Sequence, residues 1–138
     1  MTTRPLLPSF LIGAALAFGA IDARAQAVTV IAHPSVVLDA DEIRDLYVGD
    51  KQFAGGVKLV PVDNLAAQRG FLAALLRLEP VKYATLWAKK SFRDGLTAPA
   101  TKSSDAEVLA FVQATPGAIG YVNAGAVSLR QVRVVGPQ

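Results

Sequence analysis

The chain has no cysteine, one histidine, one tryptophan and one methionine in 138 residues. The absence of cysteine excludes disulfide staples, a thiol nucleophile, thiolate metal sites and lipid attachment through a thiol. With His33 as the single imidazole, a metal site or acid-base pair must draw every other partner from carboxylates and hydroxyls, and a lone histidine after a strand is more often structural. Charge of one sign is also scarce. The 14 cationic and 11 acidic side chains are interspersed for a net charge of +3, and Lys89-Lys90 is the longest basic run. Nucleic-acid binding therefore has little electrostatic support. The sequence lacks a Gly-x-Gly-x-x-Gly fingerprint, a phosphate-cradling glycine-rich loop and a Gly-x-Ser-x-Gly elbow. No nucleophile and base pair can be nominated, so a non-enzymatic protein without a cofactor or metal is expected.

What is present begins with an apolar leader. Arg4 precedes the apolar stretch Leu6–Ala20, and small residues follow at Ala23-Arg24-Ala25 and Ala25-Gln26-Ala27. This is the pattern of a secretory signal peptide, with cleavage near Ala25 or Ala27. The stretch is shorter than the roughly 20 residues needed to span a bilayer. The expected organisation is a signal peptide over residues 1–25 and one domain over 26–138, exported to the periplasm.

Along that domain, Val28–Ala32 reads as a buried strand stopped by Pro34. Asp39 and Glu42 form a capping box ahead of the apolar stripe Ile43, Leu46 and Tyr47. Lys58–Asp63 reads as a second strand, in which Pro61 suggests an edge or a bulge. A helix is predicted over Ala66–Leu78, and Pro80 opens the next, which runs to about Phe92. Residues 93–103 read as a loop. Ser104 and Glu107 form a second capping box for a helix ending near Ala114, and Ala118–Val122 and Val132–Val135 are the last strands. Strands separated by helices predict an α/β fold, a mostly parallel sheet flanked by helices. The acidic residues Asp39, Asp41, Glu42, Asp45 and Asp50 lack calcium-loop spacing and fit helix capping and a solvated face.

The turn Asp63–Arg69 joins the end of a strand to the start of a helix, a place where free amides and the helix dipole favour anions. Asn64, Gln68 and Arg69 are the candidate side-chain donors. Equally compatible with the sequence, Asn64 caps the helix and Arg69 lies in solvent. Tyr83 and Trp87, one helical turn apart, read as core.

Three stretches, Leu38–Gly49, Lys58–Val62 and Ala114–Val122 (ATPGAIGYV), together resemble the phosphate-binding proteins of ABC transporters and the small PBP-like domain proteins related to them. The resemblance implies one lobe of the type II periplasmic binding protein fold. It also implies a small oxyanion such as phosphate as ligand, and a membrane permease or sensor as partner. A homodimer would restore a two-sided cleft. In that family the phosphate-binding turn is an arginine followed by serine, glycine and threonine. It falls on Asp63–Arg69, where Arg69 alone remains as a cationic donor. A protein-interaction domain of an envelope transport or sensing complex, without a small ligand, is the alternative.

Overall fold

The computed structural model describes residues 27–125 and 133–135. The expected leader lies outside the described residues. Val28–Ala32 forms β1, and α1 spans Ala40–Tyr47. The first capping box forms as expected. The Asp39 carboxylate accepts from the Glu42 amide at 2.8 Å, and that of Glu42 accepts from the Asp39 amide at 2.9 Å. Two short strands, β2 (Phe53–Ala54) and β3 (Val57–Lys58), make a hairpin around Gly55-Gly56 and lead into β4, Val60–Asn64.

The helix predicted over Ala66–Leu78 is not continuous. It starts as α2, Gln68–Phe71, widens into a π-helical turn at Leu72–Leu76 and ends on Arg77 in the left-handed region at φ 53. The wider turn brings Phe71, Leu72 and Leu76 onto the sheet together. Arg44 supports it from α1, its Nε donating to the Leu75 carbonyl at 2.9 Å. Helix α3, Pro80–Asp94, starts with Pro80 at its first position as expected.

The segment read as a loop over 93–103 contains a strand, β5, Ala100–Lys102. It is short and carries one β-branched residue, so its existence depends on pairing with β4 rather than on local propensity. Helix α4, Asp105–Ala114, has Ser104 as its N-cap, with Oγ accepting from the Glu107 amide at 3.2 Å. The return bond departs from the expected box: Glu107 Oε2 takes the Ser103 amide and hydroxyl, at 3.0 and 2.9 Å. Strands β6 (Ala118–Asn123) and β7 (Arg133–Val135) complete the order.

Five strands form one sheet in the order β5-β4-β6-β1-β7. β5, β4 and β6 are parallel, while β1 runs antiparallel to both β6 and β7. The α/β class stands, with a mixed sheet. Pro61 fits inside it because the Val60 amide points to β6, donating to the Gly117 carbonyl, so Pro61 turns its missing donor to the other edge. There β5 begins to pair only at Val62. Alternation along the strands divides the core. Val30, Ala32, Ile119 and Tyr121 face α1, α2 and α3, whereas Ile31, Val62, Ala118 and Val122 face Val108 and Val112 of α4. Helices therefore cover both faces.

Packing explains the segment Pro116–Tyr121. Gly117 has φ 83, and a Cβ there would sit 2.2 Å from the Lys58 carbonyl oxygen. Gly120 brings β6 against α4, where a Cβ would meet Val108 at 2.6 Å. Tyr121 enters the aromatic cluster, stacked on Phe71 with ring centroids 3.9 Å apart, and Tyr47 meets both rings edge-on.

Candidate functional site at the carboxyl ends of the parallel strands

The β4 to β5 connection runs through α2 and α3 on one face, and the β5 to β6 connection runs through α4 on the other. Neighbouring strands that send their connections to opposite faces part at their carboxyl ends and leave a crevice there. At that end of this sheet lie Asp63 and Asn64 of β4, Lys102 of β5 and Asn123 of β6. Two carboxylates, one on each face, organise it.

Asp63 faces the aromatic side and is 2% exposed. Its Oδ1 accepts from the Tyr121 hydroxyl at 2.7 Å and its Oδ2 from the Tyr83 hydroxyl at 2.8 Å. Burial pushes the Asp63 carboxyl above its ordinary value, partly opposed by the two phenol donors. The same burial, reinforced by the Asp63 charge, raises the Tyr83 and Tyr121 phenols. Tyr47 extends the network, donating to the carbonyls of Val62 at 2.8 Å and Ile119 at 3.3 Å. Trp87 in turn donates to the Tyr47 carbonyl at 3.0 Å. Tyr83 and Trp87 are core residues, as their spacing predicts.

Asn64 faces α4 and is fully buried. Its Nδ2 donates to Asp105 Oδ1 at 2.6 Å and to the Tyr121 carbonyl at 2.9 Å, while its Oδ1 accepts from the Ala66 amide at 3.0 Å. Asp105 also accepts from the Asn123 amide at 3.1 Å and the Asn123 side chain at 3.2 Å. The chain's own carboxylate thus occupies donors that an external anion would use. Lys102 is turned away over the Phe111 ring, 4.6 Å from its centroid.

The three residues expected as donors separate. Gln68 and Arg69 line a recess of about 190 Å³ with Leu65, Gly70, Val28 and Asn123. Asn64 is not among its lining residues, because its amide is spent on Asp105 and the turn. Nor does Asn64 cap the helix itself: α2 starts after Ala67 without a side-chain cap. The recess is lined by one cation and no carboxylate. His33 packs locally, its Nδ1 2.8 Å from the Ser35 hydroxyl.

No protein-family model matches the sequence, and no curated protein matches it. Solved structures do match. An ABC-type phosphate transport receptor from Vibrio cholerae superposes with a TM-score of 0.50 at 18% identity, over 78% of this chain and 44% of the receptor. PstS from Borrelia burgdorferi gives 0.52 at 13% identity, over 81% of this chain and 47% of that protein. The fold is that of part of a phosphate transport receptor. This chain spans less than half the length of either protein, the share that a single lobe of a two-lobed binder would cover.

Sequence reasoning missed Asp63, Asp105 and Asn123 as the groups whose hydrogen bonds organise this end of the sheet. Asp63 is visible in the sequence as a carboxylate ending an apolar strand. Its phenol partners are 20 and 58 residues away, beyond the reach of any local pattern.

Proposed function

We propose that this chain is an exported, non-enzymatic recognition domain of the cell envelope, built like one lobe of a phosphate transport receptor, which takes a small anion at the Gln68-Arg69 turn. Export rests on the leader with Ala23-Arg24-Ala25. The observation that carries the anion reading is the recess itself, which Arg69 and Gln68 line without a carboxylate beside them. Asn64 serves as the organiser of the turn beneath it. A permease, a sensor or a second copy of the chain supplies the opposite wall.

Calorimetry with phosphate and with sulfate tests this reading, with Arg69→Ala as control. A binding heat that Arg69→Ala abolishes is the expected result. No heat and no thermal shift at millimolar anion overturns it. That second outcome would favour the protein-interaction reading, which has its own support: Leu65 stands 65% exposed at the mouth of the recess, as a residue covered by a partner would.

A further inference from the structure

A second cavity lies at the opposite end of β4 from the recess, roughly 13 Å away at the rise of a strand. It is a groove of about 470 Å³ between the α1 to β2 loop, the start of β4 and the α3 to β5 loop. That volume lies within the range of small-molecule sites. Leu46, Leu59 and Trp87, each nearly buried, form its floor, and Leu96, Pro61 and Pro99 form its walls. Pro61 matters to its chemistry. On this edge of β4, before β5 begins, an ordinary residue would present an unpaired amide, and proline presents none. The strand edge inside the groove is therefore apolar.

The charged groups in the lining are Lys51 and Lys58, with no carboxylate among them. Lys51 is held by Glu42 at 3.4 Å, outside the groove. Lys58 lies on the exposed hairpin strand and forms no ion pair among the described residues. An apolar floor beneath cationic groups matches a molecule with an apolar body and one negative end. We infer that this groove binds a small amphipathic carboxylate, its flat or alkyl body against Trp87 and Leu96 and its charged end toward Lys58.

The single tryptophan gives the test its signal, since Trp87 lines the groove, and the Lys58 variants tie that signal to this groove rather than to the neighbouring cavity that Trp87 also lines beside Tyr83. Phenylacetate is titrated into the full chain, with phenylacetamide as the neutral analogue of the same shape. The expected result is a saturable emission change, with the carboxylate bound about threefold or more tighter than the amide, as expected for a partly solvated charge contact. Lys58→Glu removes that preference, Lys58→Arg retains it, and Arg69→Ala leaves it unchanged. No saturable change with phenylacetate overturns the proposal. So does equal binding of acid and amide, or a preference that survives in Lys58→Glu. Loss of phosphate binding with phenylacetate binding intact would instead remove only the Gln68-Arg69 reading.

Discussion

On one face of the sheet Tyr47, Phe71, Tyr121, Tyr83 and Trp87 fill the space beneath α1, α2 and α3, whereas on the other Val62, Val108, Val112 and Ala118 close down on Gly120. The first face is held by large rings whose hydroxyls and indole N–H all find acceptors. The second depends on side chains small enough for a helix to approach a strand. One face is therefore broken by taking atoms away and the other by adding them. The carboxylates follow the same division. Asp63 sits sealed among neutral phenols, while Asp105, half-buried, gathers amides at the start of α4.

The largest effect is expected from subtraction on the aromatic face. Phe71→Ala removes the ring between Tyr47 and Tyr121 and should cost about 4 kcal/mol by denaturant unfolding. Addition on the other face should come next. Gly120→Ala sets a methyl 2.6 Å from Val108 and is expected to cost about 2 kcal/mol, much of it recovered in the double variant with Val108→Ala. If Val108→Ala gives no recovery, close approach is not what Gly120 provides. Asp105→Ala leaves the buried Asn64 amide short of an acceptor and should cost about 1–3 kcal/mol.

The smallest change at any one pH concerns Asp63. Its carboxyl is raised in the folded state, so the folded chain holds this proton more tightly than the unfolded one. The contribution is full below the ordinary value of 3.8 and is lost as pH rises through the raised one. Asp63→Asn should remove that decline, so the variant gains on the parent as pH increases from about 4 in thermal unfolding. Equal pH profiles for the two would show that Asp63 is not sealed as described. Glu107 behaves in the opposite sense. The Ser103 bonds lower its carboxyl, so its contribution is present above its ordinary value and fades as pH falls.

Much of this fold was legible because its signals are local. Asp39 and Glu42 announce α1 by a contact within one turn, Pro80 opens α3, and the Pro116-Gly117 stop falls where the structure ends α4. β5 was not legible, since Ala100–Lys102 becomes a strand only through β4. The π-helical turn was hidden for a related reason: a spacing of apolar residues that suits an α-helix also suits one widened turn, and contact with the sheet and Arg44 decides between them. The candidate turn was found by its position after a strand. The role of Asn64 was settled by Asp105, 41 residues away. Strand direction was likewise beyond local pattern, because β1 looks the same whether its neighbours run with it or against it.

That placement of β1 bears on how the molecule comes to exist. The first described strand pairs only with β6 and β7, the last two, joining Val28 to Asn123 and Val30 to Val135. Pairings between such distant parts of a sequence form slowly and late. During synthesis the centre of the sheet has to wait for the end of the chain, so a partly made molecule stays open. Under the export proposed above, such a topology would keep the chain open for threading through a membrane pore.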